Sequence, residues 1–420
     1  MNVLITSVNN KVLLVKQFKQ AAINYSNTMI FSGDIDANVS GALFSDKHLI
    51  LPKDNDPLFI DKVKQLCIDN NIKLIIPTRD EELKIFSLYK EDLNKIGCNV
   101  IVPSISTLEI CQNKYLFFKF CESNNIDVPK TYWDIEDIKY PAFSKPTFGK
   151  ASKGAFKINS DEDLKIFSLY KEELNMLGLK NIKDNIIQEY VDWQEYTVDL
   201  FSDLEHNIIS VVPRKRIKIV NGESHIGETE NNQYIINKTI DLAKKLKLIG
   251  HNVIQCFYKN NTIKFIEVNP RYGGASNLSF KSGANTPEFL LKLIRKQPIK
   301  PIKNFTNKLK MYRHSTDVFI NENIINKIFC VDIDGTLCTE NCKYEDSKPI
   351  KKIITKINKL YKDNTIILHT ARGASSGYDW RPLTEHQLKT WGVKYHNLIM
   401  GKPYADYYID NKSINVLEWI

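Results

Sequence analysis

The chain has 420 residues, a net charge of +9 and an apolar share of 43%, enough for two or three domains with sizeable cores. No apolar run is long enough to cross a bilayer, and the lysines are scattered among acids with no basic block, which excludes the usual footprint of a nucleic-acid binder; small anionic substrates account for the charge equally well. The eight cysteines include no CxxC pair and read as small buried hydrophobes, neither a disulfide framework nor a zinc site.

The start, Met1-Asn2-Val3-Leu4-Ile5-Thr6, lacks the basic opening and long apolar core of a signal peptide, so a cytoplasmic protein is expected. Val3-Leu4-Ile5 predicts a buried strand, residues 11–22 a helix, Thr28-Met29-Ile30-Phe31 a second strand ending at Gly33-Asp34, and Leu74-Ile75-Ile76-Pro77 a later one. Strands alternating with helices predict an open α/β sheet. Pro77-Thr78-Arg79-Asp80-Glu81-Glu82-Leu83 follows a strand end, where such sheets place ligands; a helix N-terminus with acids matched to its dipole is an equally good reading. The stretch from Leu83 to Asn94 recurs from Leu164 to Asn175. Leu83, Phe86, Leu93 and Ile96 share one helical face, so each copy predicts an amphipathic packing helix, ending near Gly97 and Gly178.

In the middle of the chain, Phe143-Ser144-Lys145-Pro146 sets a lysine on a strand and runs into a loop containing Gly149, Lys150, Ser152, Lys153 and Gly154. Free amides and ammonium groups suit a polyphosphate. The spacing of Gly149 and Gly154 matches a Walker loop, but Ala155-Phe156 replace the required Lys-Ser/Thr, so a P-loop is rejected. Gln188-Glu189-Tyr190-Val191 ends one strand and Glu195 begins another. Arginine grips carboxylate or phosphate with two parallel bonds, making Arg214 or Arg216 the candidate for an acyl phosphate or its parent acid, with a solvated β-ribbon as the even alternative. Further on, Glu267 and Asn269 share a strand face. With Gln255 from a neighbouring strand they offer hard oxygens to Mg²⁺, unless Glu267-Val268-Asn269 is only a polar strand exit.

This set resembles the ATP-grasp superfamily, particularly its carbamoyl-phosphate-synthetase-like carboxylate–amine ligases, over about residues 1 to 321. The resemblance implies Lys114 and Lys145 on the ATP phosphates, the 149–154 loop (Gly149, Ser152, Lys153, Gly154) as a lid, and Gln188 with the backbone of Glu189, Tyr190 and Val191 around adenine. It further implies Glu195 on ribose, Gln255, Glu267 and Asn269 on Mg²⁺ or Mn²⁺, and Arg271 on the transferring phosphate.

The tail begins near Lys327. Cys330-Val331-Asp332-Ile333-Asp334-Gly335-Thr336 predicts a short buried strand whose two carboxylates face one site. Leu368-His369-Thr370-Ala371-Arg372-Gly373, Gly401-Lys402-Pro403 and Tyr408-Ile409-Asp410 each deliver polar groups at the end of an apolar stretch. That order resembles the haloacid dehalogenase phosphatases, especially small uncapped ones of capsule and surface-glycan pathways. It implies Asp332 as nucleophile, Asp334 as general acid/base, Thr370 and Lys402 on the phosphoryl group, and a Mg²⁺ site of Asp332, Asp334 and Asp410. Asn411 stands where many relatives carry a second aspartate.

The expected fold is therefore α/β throughout: a pre-ATP-grasp domain at 1–105, an ATP-grasp domain at 106–321 with its lid at about 141–191, and a small Rossmann-like phosphatase domain with a minimal cap at 326–420. The expected function is bifunctional. ATP would activate a small-molecule carboxylate that an amine attacks to form an amide, and the tail would dephosphorylate a phosphorylated metabolite. A kinase without an amine acceptor, or one half serving as a binding scaffold, stand as the alternatives.

Overall fold

The computed structural model describes residues 1–420 except 24, 26, 133, 149–153, 167–184, 319–325, 341–342, 411 and 416–420. The first sheet is parallel, with strand order β3-β2-β1-β4-β5, from β1 (Asn2–Thr6), β2 (Met29–Asp34), β3 (Lys47–Ile50), β4 (Ile72–Ile76) and β5 (Asn99–Val100). Helices cover both faces, so Val3, Leu4, Ile5, Leu74 and Ile75 are all buried, as parallel strands require. Chain order reverses at β1, which opens a crevice at its C-terminal end beside β4, the usual ligand position in such sheets.

The stretch after β4 differs from the expected single helix. It forms Asp80–Leu88 and Lys90–Lys95, broken at Tyr89. Leu83, Phe86 and Leu93 are fully buried on both sides of the break, and Gly97 ends the second segment with φ +73°. Most of the second copy, including Gly178, lies outside the described residues.

Two antiparallel sheets follow. The smaller, ordered β6-β9-β7-β8, comprises β6 (Thr131–Tyr132), β7 (Ala142–Pro146), β8 (Phe156–Ile158) and β9 (Asn185–Glu189). The larger, ordered β14-β13-β10-β11-β12-β15, comprises β10 (Gln194–Ser202), β11 (Ile208–Val220), β12 (Glu223–Thr229), β13 (Gly250–Lys259), β14 (Thr262–Asn269) and β15 (Lys310–Tyr312). Its alternating apolar residues, Val198, Leu200, Ile254, Cys256, Phe265 and Val268, pack on the helix Gln233–Lys245 and the aromatic helix Lys114–Ser123.

In the tail, β16 (Ile328–Val331), β17 (Thr365–Thr370) and β18 (Asn397–Met400) form a parallel sheet in that order, with helices Lys351–Leu360 and Arg381–Trp391. β16 is an edge strand with Ile328 72% exposed, not the buried strand expected from its composition. Cys330 on it is exposed, whereas the other described cysteines are buried. The tail touches the first domain through Ile23, which packs on its apolar core, and through Lys352, which shares Asp46 with Lys19. Among the described residues, no helix is long and apolar enough to cross a membrane.

Candidate active site

A cavity of about 280 Å³ lies between the two antiparallel sheets. Its polar lining is Lys114, Lys145, Gln188, Glu189, Tyr190, Glu195, Arg216, Gln255 and Glu267, and its apolar lining includes Phe143, Phe148, Val191, Phe257 and Ile266. Local folding explains the convergence. Lys114 opens a helix capped by Asn113, Lys145 sits on β7, and antiparallel β13–β14 pairing puts Gln255 directly opposite Glu267.

Burial pushes the Lys145 ammonium down to about 7, with the Glu267 carboxylate pulling the other way and neighbouring Lys114 adding to the fall; burial lowers Lys114 as well. Burial raises Glu195 despite the Arg216 guanidinium that binds it. Two buried ammonium groups thus face one cavity, the preparation a polyphosphate needs. A polyanion drawing the Lys145 pKa back up must take up a proton wherever the free lysine is deprotonated. Nucleotide affinity is therefore expected to be flat below about pH 7 and to weaken by up to about tenfold per pH unit above it, measured by calorimetric titration of ADP across pH.

Some placements differ from expectation. Gln188 lines the cavity, yet its amide is turned into the protein and donates to Thr131 Oγ1 at 2.9 Å. Glu189 accepts from the Lys130 amide at 2.7 Å and from Lys264. Gly154 adopts φ +74° at the turn into β8, whereas Gly149, Ser152 and Lys153 lie outside the described residues. Arg216 is not a lone substrate arginine: it reaches Glu195, the Gly222 carbonyl at 2.6 Å and Gln255 at 3.4 Å inside the cavity.

Arg214 is corrected outright. It is sealed against Asp199, with a closest approach of 2.8 Å and both side chains at most 3% exposed. Ser276 and Ser279 donate to the same carboxylate. His251 bridges Ser276 at 3.1 Å and Thr286 at 3.0 Å and stacks on Tyr272. Burial alone would raise the Asp199 pKa, but Arg214 and His251 outweigh it and hold the group well below the usual carboxylate range. This network ties β10 to β11, β13 and the segment after β14. Arg214→Met, which strands the Asp199 charge, is expected to cost about 3–5 kcal/mol, read from the urea unfolding midpoint.

From Glu267 a polar chain leaves the cavity. Asn269 donates to Glu267 Oε1 at 2.9 Å, Arg271 reaches Asn269 Oδ1 at 3.4 Å, and the Arg271 guanidinium grips Asp80 with two bonds of 2.7 Å. Asp80 comes from the stretch after β4, whose sequence left a ligand role and a helix start equally open. It is the first residue of a helix, as the helix-start reading expects, and its carboxylate is held by Arg271. The chain thus joins the nucleotide-sized cavity to the crevice of the first sheet. There Glu82 accepts from Thr6 at 2.6 Å and from Ser7.

In the tail, β16 ends at Val331, so Asp332 and Asp334 sit on the turn beyond it. Asp332 accepts from the Ile333 amide at 2.8 Å and from Lys402. Asp334 is held by the Arg372 Nε and Nη2 at 2.8 and 2.7 Å. Arg372 is fully buried, tied also to Gln387 at 2.7 Å and lying over Tyr344. Its sequence signal is a charged residue two positions past an apolar strand. Thr370 is buried at the end of β17, its hydroxyl accepting from the Arg372 amide at 3.2 Å. Asp410 does not join them. It is exposed and accepts from the Lys412 amide at 2.7 Å. Among the described residues no three acidic, histidine or cysteine side chains gather as a metal set, and residues 401–410, which carry Asp410, form no strand. Asn411 lies outside the described residues.

The family models that match lie before the tail. A family model described as "ATP-grasp in the biosynthetic pathway with Ter operon" matches residues 181–316, and one described as "PylC-like, N-terminal domain" matches residues 3–101. The carbamoyl phosphate synthase large chain of Thermoanaerobacter sp. (strain X514) is 27% identical over 199 residues, 43% of this chain but only 18% of that protein. D-alanine–D-alanine ligase B of Clostridium perfringens is 24% identical over 255 residues, 52% of this chain and 78% of the ligase. The solved biotin carboxylase of Campylobacter jejuni, in complex with β,γ-ATP, superposes with a TM-score of 0.60 at 15% identity, covering 74% of each chain. Residues 181–316 thus match an ATP-grasp family model and residues 3–101 a PylC-like N-terminal one, and the chain shares the fold of the solved biotin carboxylase.

Proposed function

We propose that the first three-quarters of the chain are an ATP-dependent carboxylate–amine ligase, and that residues 326–420 are a phosphatase acting through an aspartyl-phosphate. The observation that supports the ligase reading best is the run of groups from Lys114 and Lys145 through Glu267 and Asn269 to Arg271. It combines cations for a polyphosphate, oxygens for a hard cation and an arginine beyond them at the crevice of the first sheet. ADP-forming chemistry then follows. An oxygen of the acid attacks the γ-phosphorus and ADP leaves; the amine attacks the acyl carbonyl, phosphate leaves, and the amine gives up a proton. Lys114, Lys145 and Arg271 neutralise the charge that accumulates on the phosphoryl oxygens. The oxygens of Gln255, Glu267 and Asn269 fit Mg²⁺ or Mn²⁺, which when bound supplies further neutralisation of phosphate charge. The D-alanine ligase relative makes an amine acceptor the favoured reading.

The tail reading rests on two carboxylates, each held by its own cation, at one strand end: Asp332 with Lys402 and Asp334 with Arg372. Asp332 would attack phosphorus, Asp334 would protonate the departing oxygen and then activate water, and Thr370 with Lys402 would hold the phosphoryl oxygens. The short inserts around Tyr344–Asp346 and Ala374–Thr384 leave the site open to an extended phosphorylated metabolite. A surface-glycan pathway is the setting we infer, with successive steps on one chain divided at 1–105, 106–321 and 326–420, in the cytoplasm, with no nucleic-acid partner. Mass spectrometry of products formed from ATP, Mg²⁺ and panels of acids and amines tests the ligase: an amide with ADP and phosphate is expected. ADP formed without any amine, alongside a stable phosphorylated product, establishes the kinase alternative instead.

A further inference from the structure

The Arg271–Asp80 pair differs from Arg214–Asp199 in one respect that matters. The latter is sealed, with side chains at most 3% exposed, whereas Asp80 is 23% and Arg271 16% exposed. Both pairs have an arginine gripping a carboxylate, but only one stands where a solute can reach it. Asp80 lies beyond the C-terminal end of β4, at the crevice where the strand order reverses. Arg271 lies just beyond β14, whose Glu267 lines the cavity.

Two parallel N–H donors at 2.7 Å form the fork that a carboxylate or phosphoryl group from outside would also use. Asp80 and Arg271 both remain within reach of solvent, so an incoming anion can contest this grip.

Resting on the ligase reading above, we propose that Asp80 is an internal stand-in for the anionic group that Arg271 receives, and that this anion displaces it. The anion is the carboxylate of the acid substrate or the phosphoryl group passing to it. Displacement frees the Asp80 carboxylate, at the first-sheet crevice, from its salt bridge to Arg271, close to where the amine or acid must enter. Asp80 is thus a positioning residue that keeps Arg271 aimed, and its charge compensated, until substrate arrives. Because the arginine is free only for the fraction of time that Asp80 is away, apparent anion affinity is lowered by that fraction.

The test uses the full chain saturated with MgADP, titrated calorimetrically with inorganic phosphate and separately with acetate, with Arg271→Lys run in parallel to subtract binding elsewhere. Asp80→Asn is expected to tighten one of the two anions by about tenfold or more, Asp80→Ser to do the same, and Asp80→Glu to keep the wild-type affinity. A gain for phosphate identifies the transferring phosphoryl group as the natural occupant, and a gain for acetate identifies the acid carboxylate. Unchanged affinity for both anions in both neutral variants, with MgADP bound normally, overturns the stand-in role and leaves the nucleotide site untouched. Failure of wild-type protein to bind MgADP overturns the ligase reading itself, and this inference with it.

Discussion

Glu267→Gln and Lys145→Ala are each expected to lower ATP turnover by at least about a hundredfold, followed as ADP release in a coupled assay. The two variants fail for different reasons. Glu267 is the one carboxylate among the candidate cation ligands, and it also accepts from Asn269, so the amide removes a charge and disturbs the link to Arg271. Lys145 is a buried cation whose loss removes one of the charges that answer the phosphates, in a pocket screened from bulk solvent where electrostatic terms are large. Hydrolysis of p-nitrophenyl phosphate should be unaffected in both, because the tail acids belong to a separate sheet. Normal ADP release by both variants sinks the ligase assignment.

What the sequence disclosed about this site, and what it withheld, follows from the range of the signals. Glu267 and Asn269 were legible because a strand's two-residue period is local: residues two apart share a face whatever lies beside them. The same rule could not separate Arg214 from Arg216, which also share a face of β11. Their fates are set by β10, where Asp199 captures one and Glu195 the other, and strand pairing is not written in either segment alone. Asp80 was ambiguous for the same reason. Its partner lies 191 residues away, so only the assembled sheet distinguishes a helix start from an arginine's counter-ion.

Backbone elements were read best where burial is two-sided. The runs Val3-Leu4-Ile5 and Leu74-Ile75-Ile76 are apolar because helices cover both faces of a parallel sheet. The expected continuous helix after Leu83 failed at Tyr89, since apolar periodicity continues across the break and gives no warning of it. In the tail the Ile/Cys/Val composition of β16 suggested a buried strand, but order within the sheet makes it an edge. The Tyr408-Ile409-Asp410 stretch looks like another such strand and pairs with nothing among the described residues. Intrinsic β preference reports fitness for a half-buried surface and not a neighbour to supply it.

The tail carries the other large expected effect. Asp332→Asn is nearly isosteric and keeps an oxygen available to the Ile333 amide, yet an amide is no nucleophile toward phosphorus. Release of phosphate from p-nitrophenyl phosphate should therefore fall by about a thousandfold or more, with the melting temperature little changed. Asp334→Asn is expected to differ in kind. It disturbs the grip of buried Arg372, so some loss of stability accompanies slow turnover. With a leaving group as good as p-nitrophenolate, which departs without a proton, the first step should survive better than the second. Aspartyl-phosphate then accumulates and is detectable by intact-protein mass after acid quench. Beryllium trifluoride, a mimic of that intermediate, should bind wild-type protein and should not bind Asp332→Asn. Full phosphatase activity in Asp332→Asn would falsify the covalent mechanism and with it the reading of residues 326–420 as an enzyme, leaving Lys402 and Arg372 as structural counter-ions of an acidic turn.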